Sequence, residues 1–494
     1  MNLAAIVEPH PPDARALDDG GIAITYGGLR AQVEELRREL VALGTAPGDR
    51  VVIAVANNSL FVVSYLAVLG VGAVAVPLNP DSPASELEGE LAAVGAMLTI
   101  AAPAGADAAR AIERSGRVVE RLLVRGGAAT NHGRGADPVP IVDRADGDLA
   151  VLMFTAGTAG APKAAMLTHG NLLASLEQVQ SHPGRAVQAG DVSLGVLPLF
   201  HIFGLNVMLG LSLYSGASLV LVEQFDPIPA LETAGAHGVT LVAGAPPMFA
   251  AWAELPGAKG DELASVRLAI SGASALPGEV AEGFERRFGL PLWQGYGLTE
   301  AAPVVTSPLV GGERRPGSIG VPVPGLEVRL VDEDGEDVLD GDPGEVWVRG
   351  PNVFAGYWQE PEATAAVLTP EGWLRTGDVA VADSDGYLWL VDRSKDLVIV
   401  SGFNVYPAEV EAVLLEHPDV AEAAVVGTPH PRSGEAVVAY VVPELGRELR
   451  QDQVIAWCAA RLARYKCPTA VEVVEALPHG VAGKLLRRAL RGSL

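Results

Sequence analysis

After Asp148 the chain sets six apolar residues in a row, Leu149-Ala150-Val151-Leu152-Met153-Phe154. They empty into Thr155-Ala156-Gly157-Thr158-Ala159-Gly160-Ala161-Pro162-Lys163. A run this short and this apolar reads as a buried strand, which commits the surrounding chain to a layered α/β arrangement. Small residues after such a strand let backbone amides crowd a phosphate, hydroxyls add donors, and Lys163 adds charge. The Walker spacing GxxxxGK[ST] does not fit, because Ala164 follows the lysine. Taken alone, the segment is either a phosphate loop or a Gly-rich turn between two elements.

The flanking sequence carries the same alternation. Thr25 can cap a helix in which Leu29, Val33, Leu36 and Leu40 share a face, and Val51 to Val55 and Val71 to Val76 read as short buried strands. Residues Ala101 to Asp148 read as surface helix plus loop. From Gly317 the pattern turns β-rich, with strands at Glu327 to Val331, Glu345 to Val348 and Tyr387 to Val391 and turn signals at Asp334-Gly335 and Asp385-Gly386. Beyond Asp392 it becomes α+β: a helix opened by Pro407 with Val410, Val413 and Leu414 on one face, a strand at Ala436 to Val442, and a helix around Val454 to Leu462. At 494 residues the chain is too long for one ordinary core, and we place the boundary near Arg393 to Lys395. A large domain, 1–393, would hold two αβ-layered subdomains and a β-barrel-like one, and 394–494 would form a small α+β domain.

Composition excludes several classes. With 35 Lys+Arg against 60 Asp+Glu, the net charge of -25 opposes nucleic acid and anionic membrane, so any anionic substrate must be met by local amides and cations. The 2 cysteines, Cys458 and Cys467, form neither a disulfide framework nor a zinc motif and suit a reducing cytosol. The N-terminal residues lack a secretory pattern. Val192 to Val222 carries no formal charge, but Pro198, His201, Asn206 and several glycines interrupt it, so it reads as core and pocket wall rather than a membrane span.

Further motifs follow in order: Ser271-Gly272-Ala273-Ser274-Ala275-Leu276, Gln294-Gly295-Tyr296-Gly297-Leu298-Thr299-Glu300, Thr376-Gly377-Asp378, Asp392-Arg393-Ser394-Lys395-Asp396 and Pro478-His479-Gly480-Val481-Ala482-Gly483-Lys484. Together with the loop after Phe154, this series resembles the adenylate-forming superfamily of acyl-CoA synthetases, luciferases and peptide-synthetase adenylation domains. The resemblance covers nearly the whole chain, and YGxTE is its most specific element. It implies ATP, Mg2+ and coenzyme A (CoA) as cofactors and cosubstrates. It implies that Thr155, Gly157, Thr158, Gly160 and Lys163 cradle phosphate, that Ser271, Gly272 and Ala273 lie against adenine, and that Tyr296, followed by Gly297, stacks on it. Thr299 would hold the α-phosphate, Glu300 with Thr155 would ligate Mg2+, Asp378 would clamp the ribose, and Arg393 would touch ribose or phosphate. Lys484 would be the catalytic lysine, its charge offsetting repulsion between a carboxylate and the α-phosphate. Lys466 is the competing basic residue, expected at the surface or against CoA.

Ser401-Gly402-Phe403-Asn404-Val405-Tyr406-Pro407-Ala408-Glu409-Val410-Glu411 is similar to the SGFNVYPxEIE segment of fatty-acyl-CoA ligases. That likeness implies a mobile small domain with hinge Lys395, which brings Ser401 and Gly402 to a pantetheine tunnel. Pro198-Leu199-Phe200-His201-Ile202-Phe203-Gly204 resembles PLFHxxG, which puts His201 at the acyl carboxylate. No acid stands in that segment, against amino-acid activation; Asp226 belongs to a later run. Gly295 stands where malonate-activating relatives carry an arginine, so a monocarboxylic acid, a medium- or long-chain fatty acid first, is expected. An aryl acid, a carrier protein as acceptor, or a degenerate ligand-binding relative remain the alternatives.

The loop departs from the family's TSGTTGxPKG at Ala156, Ala159 and Ala164. Two hydroxyl donors are missing, each worth about 1.5–3 kcal/mol when it meets a charged acceptor. Restoring them in Ala156→Ser with Ala159→Thr is expected to lower the KM for ATP or raise the adenylation rate about tenfold or more. Pyrophosphate exchange measures it, and unchanged kinetics would refute the role assigned to the loop.

Overall fold

The computed structural model describes residues 1–101, 121–124, 138–155, 163–181, 187–274, 276–332, 335–339, 341–393, 398–405, 407–478 and 490, with backbone alone for 121–124, 391–393, 404 and 408. The six apolar residues after Asp148 form the strand Leu149–Thr155, inside a six-stranded sheet. Its order is Arg121–Val124, Leu98–Ala101, Arg50–Ala54, Val74–Pro77, Leu149–Thr155, Lys163–Thr168, parallel except for the last pair. A seven-stranded sheet runs Leu292–Gln294, Leu268–Ser271, Leu241–Gly244, Val192–Gly195, Ser218–Leu221, Arg15–Asp19, Ile22–Thr25, again with only the last pair antiparallel. One continuous apolar core joins these sheets to most of their helices, and a separate cluster packs the other face of the six-stranded sheet against the helix Ala84–Val94.

The local signals explain most elements. Thr25 accepts a hydrogen bond from the Gly28 amide and opens the helix Tyr26–Ala42, whose Leu29, Val33, Leu36 and Leu40 are buried. The expected strand at Val71 to Val76 begins only at Val74, because Val71 and Gly72 still donate back to Ala67 and Leu69 and close the helix Ser59–Gly70. Within the stretch expected to be helix and loop, Arg121–Val124 is instead a strand, and it satisfies the backbone groups along one side of Leu98–Ala101. The uncharged stretch from Val192 folds as strand, π-helix (Phe203–Gly210), a short helix (Leu211–Ser215) and strand. No described helix is long and apolar enough to cross a membrane. The π-helix packs tightly at its start: a Cβ on Gly204 would lie 2.2 Å from the Pro198 carbonyl oxygen.

The β-rich part comprises a three-stranded sheet (Tyr296–Gly297, Val304–Ser307, Val321–Pro322) and a four-stranded antiparallel sheet (Glu327–Val331, Gly344–Arg349, Leu374–Ala382, Leu388–Arg393), bridged at Gly320 and Leu388. Residues after 398 have their own core around Val410, Leu414, Val425, Val454 and Cys458. Their five-stranded sheet contains Phe403–Val405, Val398–Val400, Gly434–Pro443, Val420–His430 and Ala470–Val473, covered by the helices Pro407–Leu415 and Gln451–Ala459.

A buried amide network fixes the turn that carries the most specific motif. Asn352 donates to the carbonyls of Ala301 and Val304 at 2.8 and 2.9 Å, and Asn206 donates to that of Ala302 at 2.8 Å. Asn352→Ala leaves two carbonyls without their donor and is expected to cost about 2–3 kcal/mol. Urea unfolding of the variant against the parent checks this; a midpoint shift too small to register would discard it.

Candidate active site

The carboxyl ends of Val74–Pro77 and Leu149–Thr155 in the first large sheet and of Leu268–Ser271 in the second reach one cavity of about 540 Å³, where open parallel sheets commonly bind ligands. Thr155 and Lys163 enter it from the first sheet, Ser271 to Ala273 from the second, and Tyr296 to Glu300 from the turn fixed by Asn352. His201 and Phe203 line it from the start of the π-helix, and Thr376 to Asp378 from the four-stranded sheet. Gly402, Phe403, Tyr465 and Lys466 complete the wall from the C-terminal unit.

Several of these residues are locked by direct bonds. The Tyr296 hydroxyl donates to Asp378 Oδ2 at 2.6 Å, and both residues are buried. The Asp378 amide donates to Thr376 Oγ1 at 3.1 Å, and Thr376 in turn donates to the Val346 carbonyl at 2.7 Å. Asp378 also pairs in register with Arg393 across the antiparallel ladder. The Tyr357 hydroxyl donates to Glu300 Oε1 at 2.7 Å, and Lys163 Nζ lies 5.5 Å from the Tyr357 ring centroid. Thr155 Oγ1 sits 3.4 Å from the Lys163 carbonyl oxygen, a long bond that leaves the hydroxyl easily recruited. No cluster of three metal-ligating side chains occurs among the described residues. Glu300 and Thr155 together suit a hard cation that keeps water and takes most of its oxygen from substrate phosphates.

His201 meets Phe403 edge-on with ring centroids 6.1 Å apart, and its Nδ1 accepts from the Phe203 amide at 3.3 Å. Burial pushes its pKa down to about 4, so the ring is neutral at pH 7. Gly402 has φ +86, and a Cβ there would stand 2.9 Å from that of Ala245 and 3.3 Å from that of Ala273. The backbone therefore passes between two methyl groups with no room for a side chain. Phe403 stacks on Tyr465 with centroids 4.4 Å apart.

Ser401, beside Gly402, is exposed and does not line the cavity; its backbone is left-handed at φ 51 and its amide donates to the Ser433 carbonyl. One expectation is corrected. Lys466 is not a surface residue. Its ammonium is buried and donates to Glu86 at 2.6 Å and Glu409 at 2.8 Å. Burial works against that charge, but the facing Tyr465, Glu409 and Glu86 outweigh it and hold the lysine protonated. Gly157, Thr158, Gly160, Lys395 and Lys484 lie outside the described residues, as do Ala156 and Ala159, and of Arg393 only the backbone is described. Glu86, Glu90, Tyr357 and Tyr465 line the cavity without having been singled out in the sequence. The four-residue spacing of Glu86 and Glu90 puts both on one helix face, the one signal that could have paired them.

Residues 4–358 match the model of the AMP-binding enzyme family, and residues 409–484 match that of the AMP-binding enzyme C-terminal domain. The chain belongs to the AMP-binding enzyme family of adenylate-forming acyl-CoA synthetases. A feruloyl-CoA synthase from Amycolatopsis sp is 40% identical over 481 residues, 97% of this chain and 96% of that protein. A long-chain-fatty-acid–CoA ligase from Bacillus subtilis (strain 168) is 34% identical, covering 97% of this chain and 91% of that one. The structure of the amide bond synthetase McbA from Marinactinospora thermotolerans superposes with a TM-score of 0.90 at 34% identity, over 99% of both chains.

In this AMP-binding enzyme two histidines resist protonation. His169 is pushed down to about 4 by burial and then by the nearby Arg144, with its Nδ1 accepting the Leu3 amide at 3.0 Å. An unfolded histidine titrates near 6.5. Between pH 6.5 and about 4 the unfolded chain therefore binds more protons than the folded one. The stability from keeping these rings neutral is full above pH 6.5 and declines as pH falls toward 4. The expected outcome is a His201 ring signal that does not shift between pH 8 and 5 by NMR, and a denaturation midpoint that drops below pH 6.5 less steeply in His201→Gln. A His201 midpoint near 6.5 would contradict it.

Proposed function

We propose that this AMP-binding enzyme uses MgATP to convert a monocarboxylic acid with an apolar tail, a medium- or long-chain fatty acid first, into its acyl-adenylate, and then transfers the acyl group to the thiol of CoA. The observation that carries this reading is the meeting of Thr299, Glu300, Tyr296, Asp378, His201 and Gly402, remote in sequence, around one cavity.

In the first step the carboxylate oxygen attacks the α-phosphorus of ATP, the bond to the pyrophosphate oxygen breaks, and pyrophosphate leaves. Both reactants are anionic, so the step needs positive charge and in-line placement. Thr299 would donate to the α-phosphate, Lys163 and the loop amides would hold the outer phosphates, and Lys484 would approach both reacting groups. Tyr296 would pack on adenine while its hydroxyl keeps Asp378 turned to accept from the ribose hydroxyls. Mg2+, held by Glu300 and Thr155, would neutralise phosphate charge when bound with ATP.

In the second step the thiol gives up its proton, its sulfur attacks the acyl carbon, and AMP departs with the electron pair of the cleaved C–O bond. His201, neutral and at the cavity wall, can orient the reacting groups, but burial makes it a weak base, so the thiol proton passes to solvent. The side-chain-free backbone of Gly402 leaves width for a thiol-bearing arm, with Lys395 as the hinge that brings the C-terminal unit up. Gly295 supports a neutral tail: a Cβ there would have only the Thr306 carbonyl oxygen near it, at 3.5 Å, so this wall holds space rather than a cation. An aryl acid is the second reading, favoured by the 40% identity to a feruloyl-CoA synthase. A reducing cytosolic setting is supported by the two free cysteines.

The test is a coupled pyrophosphate assay over acetate to palmitate, benzoate, coumarate and ferulate, with and without CoA and with a carrier protein as alternative acceptor. Acid-dependent pyrophosphate release followed by acyl-CoA is expected, with Lys484→Ala lowering the first step about a hundredfold or more. Gly402→Val is expected to suppress thioester formation while adenylation persists. No pyrophosphate with any acid would overturn the proposal, and preference for the aromatic acids would select the second reading.

A further inference from the structure

Four ionisable groups from both parts of the chain meet at the cavity, three of them in its wall: Glu86, Glu90 and Lys466, with Glu409 behind them. Lys466 donates to Glu86 Oε1 at 2.6 Å and to Glu409 Oε1 at 2.8 Å, and all three side chains are only 5–6% exposed. Glu86 and Glu90 stand one turn apart on the helix Ala84–Val94 of the large N-terminal part, whereas Glu409 belongs to the helix Pro407–Leu415 of the C-terminal unit. The outer oxygens of Glu86, Glu90 and Glu409 are buried without a hydrogen-bond partner. Three carboxyl groups thus face one ammonium. Burial first, and then the Glu86 charge, push Glu90 up to about 8, so it keeps its proton at neutral pH, and burial raises Glu409 as well; the direct hydrogen bond across the interface is the one from Lys466 to Glu86.

We propose that the Lys466–Glu86 pair is the latch that holds the C-terminal unit where Gly402 and Phe403 form the cavity wall beside His201, which makes Glu86 a positioning residue for transfer to the thiol but not for adenylate formation. The inference rests on the two-step reading above. Its physical basis is an asymmetry between the lysine's two partners. Lys466 carries Glu409 with it on its own unit, so when the unit turns away the ammonium keeps one buried counter-charge, and only Glu86 exchanges its partner for water. A buried pair gains Coulomb energy but forfeits hydration, so the two nearly cancel and the contact can form and part within a catalytic cycle. The stacked Phe403 and Tyr465 lie between this latch and His201, so the position of Lys466 is transmitted to the wall by rigid rings.

Charge reversal in Glu86→Lys sets two ammonium groups against each other only in the latched arrangement. The experiment measures two partial reactions with the full-length protein and an acid the parent adenylates: pyrophosphate release in a single turnover without CoA, and thioester formation from isolated acyl-adenylate plus CoA. The expected result is thioester formation slowed about twentyfold or more with adenylation within about threefold, an intermediate loss in Glu86→Gln, and near-parental rates in Glu86→Asp. A thioester rate unaffected in both Glu86→Lys and Glu86→Gln overturns the latch, and so does a fall of both partial reactions by the same factor. Absence of acyl-adenylate from the parent with every acid would instead condemn the two-step reading.

Discussion

The 2.6 Å hydrogen bond from Tyr296 to Asp378 ties together two parts of the chain 82 residues apart, and the shape of the cavity depends on it. Tyr296 comes from the turn after the seven-stranded sheet, and Asp378 from the four-stranded antiparallel sheet. Each contributes residues to the cavity wall, and this bond joins the two contributions. Joined, they set an aromatic face beside a carboxylate whose orientation is already fixed, so less freedom is lost when a ligand arrives. Asn352 and Asn206 support the same turn from beneath by donating to its carbonyls, which is why so short a segment can stay in register with a sheet it does not belong to.

Charge is managed locally in a chain whose net charge of -25 opposes anions. Lys163 lies over the Tyr357 ring, and Tyr357 holds Glu300 through its hydroxyl, so cation, ring and carboxylate form one ordered group. Elsewhere in the wall Lys466 is consumed by Glu86 and Glu409. A lysine bound by two carboxylates offers little to an anionic ligand, and its Coulomb gain is nearly offset by the hydration it forfeits. Low-dielectric walls around His201 keep it neutral, because burial disfavours the protonated ring.

Periodicity made the helices and strands legible, because burial on one face imposes its spacing on the sequence. Leu29, Val33, Leu36 and Leu40 lie buried as their spacing demanded, and Leu149 to Phe154 form the strand that their run of apolar side chains implied. The start of the strand at Val74 was not legible, since Val71 to Ala73 are as apolar as a strand and only backbone hydrogen bonds assign them to the helix end. The motif residues Thr155, Lys163, Ser271, Tyr296, Thr299, Glu300 and Asp378 were found because each has a recognisable local pattern, and the fold brings all of them to one cavity. Tyr357, Glu86 and Glu90 have no such pattern. A tyrosine hydroxyl or a helical glutamate looks the same in sequence whether it faces solvent or a buried partner.

By itself the sequence determined the α/β layering, the later turn to β-rich and then α+β structure, and the motif residues that the fold gathers around one cavity, because these follow from side-chain spacing and type within short windows. Only the tertiary structure decided that Lys466 is buried rather than exposed, that Gly402 passes between Ala245 and Ala273 while Ser401 faces outward, and that Asp378 is bonded to Tyr296. Those are contacts between segments tens to hundreds of residues apart. Burial and charge pairing depend on which surfaces meet, and no local window carries that information.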